Sequence, residues 1–181
     1  LPLAQKDAQK EAMDGYQTSV DRYYRELMRA KLGLVEQQAG DDDLLQDLKS
    51  LMVGSRVDYT VFWRELGTFS SMAGAKNEHL REHFLNPERF DAWADQYRNR
   101  LQSEQSRDDE RHARMDRVNP KYILRNYLAQ GAIEKAQQKD YSEIDRLLRL
   151  LQNPFPEQPG MEHYAAAPPN WGKHLSVSCS S

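Results

Sequence analysis

The sequence predicts an all-α protein of about seven helices that ends in an extended, proline-rich tail. Three observations carry this. Apolar residues recur at three- and four-residue spacing over most of the chain, the period of an amphipathic helix. There is no βαβ alternation and no repeat of fixed period. Five of the eight prolines (Pro154, Pro156, Pro159, Pro168 and Pro169) fall between Asn153 and Asn170, where each removes a backbone donor and fixes φ. The expected division is a helical region over 1–152 and a tail over 153–181.

The first helix is expected from Leu3 to Lys31, with Val20, Tyr23, Tyr24, Leu27 and Met28 on its apolar face and Gly33 just past its end. A second begins at Asp41, Asp42 and Asp43, whose charge suits the positive end of a helix dipole. It carries Leu44, Leu45, Leu48, Leu51 and Met52 and stops near Gly54. Asp58 is an N-cap for a third, with Val57 and Phe62 placed as a hydrophobic staple. A Ser/Gly-rich loop lies between Gly67 and Gly74, and a short helix with Leu80, Phe84 and Leu85 follows.

Asn86-Pro87 reads as a helix start, Asn capping and Pro in the first turn. The 32 residues from Glu88 to Asn119 contain neither Gly nor Pro. Phe90, Trp93, Ala94, Tyr97 and Leu101 form a buried stripe there, and the pattern then turns polar until Met115 and Val118. Asn119-Pro120 repeats the start signal, ahead of Ile123, Leu124, Tyr127, Leu128 and Ala132. Ser142 is the expected cap of a last helix with Ile144, Leu147, Leu148 and Leu151.

The chain has 181 residues, with 25 Lys and Arg against 28 Asp and Glu, a net charge of −3. That balance argues against a nucleic-acid binder driven by overall charge. No apolar stretch approaches the roughly 18 residues that span a bilayer. The one cysteine, Cys179, excludes an internal disulfide, and a reducing, cytoplasmic setting is expected. The chain starts at Leu1 without methionine, as a fragment would.

Four features could carry chemistry. His79-Leu80-Arg81-Glu82-His83 sets two imidazoles four residues apart beside a glutamate, the H-x-x-E-H order of inverted zinc peptidases, with Glu104 or Glu110 as a third ligand by position only. The plainer reading is an amphipathic helix with a polar face. Asp41–Asp43 lacks the glycine and distal glutamate of a calcium loop, so capping accounts for it better. Arg98, Arg100, Arg107, Arg111, Arg114 and Arg117 interleave with Glu104, Asp108, Asp109, Glu110 and Asp116. Such balance reads as a solvated, salt-bridged face before it reads as a phosphate surface. Cys179, third from the end of a proline-rich tail, is placed for thiolate and redox chemistry. There is no G-x-x-x-x-G-K-[ST], no G-x-G-x-x-G and no D-F-G, so no nucleotide-binding residue is assigned.

The segment Arg117-Val-Asn-Pro-Lys-Tyr-Ile-Leu-Arg-Asn-Tyr-Leu-Ala-Gln130 carries a resemblance. So do Leu151-Gln-Asn-Pro-Phe155, Glu157-Gln-Pro-Gly160, Tyr164-Ala165, Pro169-Asn170-Trp171 and Ser178-Cys179-Ser180-Ser181. Together they resemble the C-terminal region of the selenoprotein O family, known in bacteria as YdiU. Lys31-Leu-Gly-Leu34, Asp58-Tyr-Thr60 and Phe62 fit more loosely. The resemblance implies a protein-kinase-like fold and AMP transfer from ATP, with Mg2+ or Mn2+, to protein hydroxyls; UMP transfer from UTP is known for some members. The family's catalytic motifs match no positions in this chain. Cys179 falls where many animal members carry selenocysteine, which implies a redox role with a partner cysteine in the catalytic lobe.

The leading expectation is therefore a scaffolding and redox-regulatory C-terminal part of a bacterial protein adenylyltransferase. It holds no catalytic, cofactor or metal residue of its own. Its partners would be the upstream catalytic lobe and that enzyme's protein substrates, and apolar surface left bare would favour self-association. The alternatives are an autonomous helical interaction module and a small zinc hydrolase on His79, Glu82 and His83.

Overall fold

The computed structural model describes residues 3–173 and Leu175, with side chains from Gln9 onward. Among the described residues there are eight α-helices and no strand. They are α1 (Leu3–Lys31), α2 (Asp41–Ser55), α3 (Tyr59–Glu65), α4 (Glu78–Arg81), α5 (Pro87–Ser103), α6 (Asp108–Asp116), α7 (Asn126–Gln137) and α8 (Ser142–Gln152). Short 3-10 turns at Leu66–Thr68, Glu162–Tyr164 and Asn170–Gly172 complete the path. The all-α expectation holds.

Two hydrophobic clusters form. The larger gathers the apolar faces of α2, α3 and α5 with the ends of α1 and α6, from Met28 to Met115. Its centre is aromatic: Phe84 stacks on Phe90 at 4.8 Å between ring centroids, and Trp93 on Tyr97 at 5.0 Å. The polar tips of these rings are used. Trp93 Nε1 donates to the Leu44 carbonyl at 2.9 Å, fastening α5 to α2, and Tyr97 Oη donates to the Leu32 carbonyl at 2.6 Å. Burial pushes the Tyr97 phenol far above its ordinary pKa, so it stays a donor. The smaller cluster packs α7 and α8 around Tyr122, Ala132, Leu147, Leu150 and Tyr164.

Several helix ends follow the expected chemistry. Asp58 caps α3, its side chain accepting from the Val61 amide at 3.0 Å, and Val57 packs on the cluster that holds Phe62. Asn86 caps α5 at the Arg89 amide, with Pro87 in the first turn. The acidic run 41–43 is the first turn of α2.

Four expectations need correction. The face of α1 read as buried is mostly bare: residues 9–26 are exposed, and only from Leu27 does the helix meet the core. The stretch 88–119 is two helices. The Glu104 carboxylate accepts from the Val35 and Glu36 amides and from Arg100, and Gln105 takes a left-handed φ of +54°. This closes α5, and the acidic first turn of α6 restarts the helix. Asn119-Pro120 starts no helix. Asn119 is buried and its side chain is engaged elsewhere, so residues 120–125 run outside regular structure and α7 begins six residues later than Pro120, at Asn126. Ser142 is the first residue of α8 and caps nothing; Asp140 accepts from its amide at 3.0 Å instead.

Gly33 joins α1 to the larger cluster. Its φ is +71°, and a Cβ there would lie 2.5 Å from Arg111 Cγ and 2.8 Å from Met115 Sδ. Both neighbours belong to the buried face of α6, so the backbone of the turn touches the helix directly. Gly33→Ala adds a clash to an unfavourable φ. It is expected to cost at least ~2 kcal/mol, read as a lower urea midpoint at unchanged slope.

Candidate functional site

The residues singled out for zinc are not gathered at one point. Helix α4 ends at Arg81, so His83 lies beyond it. His79 Nε2 is 2.7 Å from Thr68 Oγ1, and His83 Nε2 is 2.5 Å from Glu65 Oε2. Glu82 is exposed. Glu104 holds the 35–36 amides and Glu110 faces Arg107. Among the described residues no group of three His, Cys, Asp or Glu side chains is placed to hold a metal ion.

The arginine-rich stretch is not simply a solvated face. Arg111 is fully buried, paired with Asp108 at 2.7 Å and donating to the Phe69 carbonyl. Arg100 is nearly buried against Asp41 and Glu104. Asp41 thus serves Arg100 as well as the start of α2. Arg107, by contrast, is exposed with Asp109 and Glu110. Cys179 lies outside the described residues.

The structure does bring one set of polar residues together. Where α1 ends, Lys31 Nζ donates to Asn119 Oδ1 at 3.0 Å, and Asn119 Nδ2 donates back to the Lys31 carbonyl at 3.0 Å. Asn119 is 1% exposed, and its own amide donates to the Met115 carbonyl. Lys31 lies 5.7 Å from the centre of the Trp63 ring and 6.0 Å from that of Tyr59. Burial lowers its pKa from the ordinary ammonium value. Arg64, on α3, donates to the carbonyls of Asp116 and Asn119 at 3.0 and 3.2 Å and reaches Glu157 in the tail at 3.4 Å.

Six residues on, Arg125 grips Asp58 through both terminal nitrogens, at 2.7 and 3.1 Å. Asp58 therefore caps α3 and anchors the approach to α7 with one carboxylate. Burial alone would raise the Asp58 pKa; the Arg125 hydrogen bonds and the Val61 amide outweigh it and hold it below the ordinary value.

The tail is laid along this seam. The Pro154 carbonyl accepts from the amides of Lys121 and Tyr122, and the Gln158 amide donates to Tyr122 Oη at 3.2 Å. Glu157 pairs with Lys121, which with Arg64 holds its carboxyl below the ordinary range. Tyr164 enters the smaller cluster and donates to Glu143 at 2.5 Å. Farther on, Trp171 meets Tyr127 edge to face at 6.1 Å, and Asn126 Nδ2 donates to the Leu175 carbonyl at 2.8 Å. Gly172 permits this: a Cβ there would be 2.8 Å from Tyr127 Cβ.

Chemically this seam is a latch. Most of its donors and acceptors pair with one another, though Arg125 Nε and Asp116 Oδ1 are buried without a partner, and it presents no paired lysine and metal carboxylate of the kind that orients a triphosphate. The adjoining cleft of about 400 Å3 between Arg64, Asp116, Phe155 and Glu157 is open to solvent. No catalytic step is assigned to this seam.

Of the segments that carried the resemblance, 31–34, 58–60, 117–130 and 151–160 meet at the latch and 164–165 and 169–171 belong to the tail laid along it, while 178–181 lies outside the described residues. A family model described as protein adenylyltransferase SelO matches residues 2–152, and this chain belongs to that family. It is 52% identical over 181 residues to a protein nucleotidyltransferase YdiU of Myxococcus xanthus (strain DK1622), covering 100% of this chain and 37% of that protein. It is 50% identical to proteins of the same name from Herminiimonas arsenicoxydans and Thioalkalivibrio sulfidiphilus (strain HL-EbGR7), covering 36% and 38% of their lengths. The chain thus spans little more than a third of these bacterial relatives. No helix among the described residues is long and apolar enough to cross a membrane.

The Arg64–Glu157 and Asp58–Arg125 pairs were not legible as partners, because they join residues 93 and 67 apart in sequence. Asp58→Asn and Arg125→Met are each expected to cost about 1–3 kcal/mol, since each leaves a half-buried charge unpaired. The Asp58 pKa is depressed in the folded state. Its contribution is therefore complete above the ordinary value of 3.8 and lost as pH falls through the lower folded value. Urea midpoints measured from pH 7 down to pH 3 should fall less steeply in Asp58→Asn than in the wild type.

Proposed function

We propose that this chain is the scaffolding and redox-regulatory C-terminal part of a protein-kinase-like adenylyltransferase. In this reading the nucleotide chemistry belongs to the part of the polypeptide outside these 181 residues. There AMP from ATP, with Mg2+ or Mn2+, is transferred to a protein hydroxyl and pyrophosphate leaves; UMP transfer from UTP is the variant. The partners are that catalytic part and the protein substrates it modifies. The single observation that supports the reading is the latch: the residues that carry the family signature here are spent on holding chain segments together.

Cys179 is the redox group in this proposal. The tail is pinned to the first turn of α7 through the Leu175 carbonyl and Trp171. Cys179 is four positions beyond Leu175, and an extended chain covers at most ~14 Å over that length. A partner thiol must then come close to the start of α7. A short tether of this kind favours one intramolecular pairing over random ones at modest loop-closure cost.

Two measurements test the proposal. Residues 1–181 alone should show no ATP binding by calorimetry with Mg2+ or Mn2+; micromolar binding at unit stoichiometry would overturn the assignment of the chemistry to the rest of the polypeptide. In the full-length protein, non-reducing peptide mapping should find Cys179 in a reversible intramolecular disulfide, and Cys179→Ser should abolish the response of nucleotidyl transfer to oxidation. A free Cys179 under oxidising conditions, with an unchanged redox response in the variant, would remove the regulatory part of the proposal.

A further inference from the structure

Helix α1 carries a stripe that the described structure leaves bare. Met13, Tyr16, Val20, Tyr24, Leu27 and Lys31 follow one another at steps of three and four, so they share one face. The lower end of that face is already an interface. Lys31 is clamped to Asn119, Leu27 is half-buried, and Tyr24 accepts a hydrogen bond from Lys49 of α2 at 3.0 Å. Above Tyr24 the same face continues past the edge of the core. Met13 is 71% exposed, Tyr16 72% and Val20 40%, with Tyr23 beside them at 67%. The opposite side of the helix is polar, with Asp14, Thr18, Arg22 and Arg25.

Most helical stability in proteins comes from packing an amphipathic face and not from propensity, and the interior Gly15 costs about 1 kcal/mol relative to alanine. A stripe of methionine, valine and tyrosine at helical spacing is the pattern of a helix with a partner on that side. Tyrosines suit an interface that is apolar in the middle and wet at its margin.

We propose that the Met13–Tyr16–Val20–Tyr23 stripe is the docking rib for the catalytic part of the same polypeptide. The inference rests on the proposed function in that it takes the nucleotide chemistry to lie in the rest of the chain. The occupant is argued from two facts. The relatives are far longer than this chain, which covers 37% of the Myxococcus protein, so in the proposed reading a large body of polypeptide is available to cover the rib. And the rib prolongs a face that already binds this chain's own core, the arrangement of an intramolecular interface extended, with no break in the face between the two. A second copy of the chain is the competing occupant.

The test uses the full-length protein, with hydrogen exchange followed by peptide. Amides of residues 9–23 should exchange on the order of 100-fold more slowly than a solvated helix does, and equally so at all protein concentrations. Tyr16→Glu with Val20→Glu should abolish that protection, while Arg22→Glu on the opposite side should keep it. Each variant is read also at residues 44–52 and 90–101, whose unchanged protection shows that the core is intact. Protection that appears only at concentrations where light scattering detects a dimer assigns the rib to a second copy and overturns the proposal. Fast exchange at every concentration overturns it as well. Nucleotidyl transfer is assayed on the same samples: a protected rib in a protein without that activity would sink the functional reading and leave the docking intact.

Discussion

The crossing of residues 117–125 is the constraint on which the rest of the structure depends. This segment leaves α6, passes under the end of α1, touches α3 and delivers the chain to α7. It has no regular hydrogen-bond ladder of its own, and a buried backbone without partners is costly. Side chains from elsewhere supply what is missing. Arg64 covers the carbonyls of Asp116 and Asn119, and the Pro154 carbonyl takes the amides of Lys121 and Tyr122. Asn119 closes a reciprocal pair with Lys31. Each contact joins a different element, so the two hydrophobic clusters meet through a polar joint.

That choice of chemistry has consequences. An apolar joint would hold almost any register; matched hydrogen bonds and a two-point Arg–carboxylate contact accept one. Removing either partner leaves a buried group unsatisfied, which costs more than the bond itself contributes. Asn119 shows why residue type matters: its amide gives and accepts at once, to the carbonyl and to the ammonium of the same residue, and aspartate could not do both. The tail then belongs to the joint physically, since Glu157, Gln158 and Tyr164 are among its contacts.

Much of the local structure was legible in the sequence because it depends on near neighbours. The bounds of α1, the Asp58 and Asn86 caps, the buried stripe of α5 and the irregular tail follow from spacing, capping and proline. What was not legible depends on distant groups. Asn119-Pro120 has the same letters as Asn86-Pro87 and the opposite fate, because Lys31 competes for the asparagine that would otherwise cap. The break at Gln105 exists because Glu104 is needed by the 35–36 loop. Arg111 reads as a surface charge and is buried, since the distant Phe69 carbonyl joins its i,i+3 partner Asp108 in receiving the guanidinium. The family signature was legible as a list of segments, but that they form one joint was not.

The functional picture follows from the joint. In the proposed reading, these residues contribute to an adenylyltransferase a helical body, a tail laid along it and a long helix whose free face prolongs a packed one. The most direct check of the joint is calorimetric unfolding of Asn119→Ala against the wild type. If the Lys31–Asn119 clamp couples the two clusters, the single transition should split in two, with the transition of α7 and α8 shifted down by several degrees. One unsplit transition, with its midpoint within about 1 °C of the wild type, would contradict the central role given to this contact.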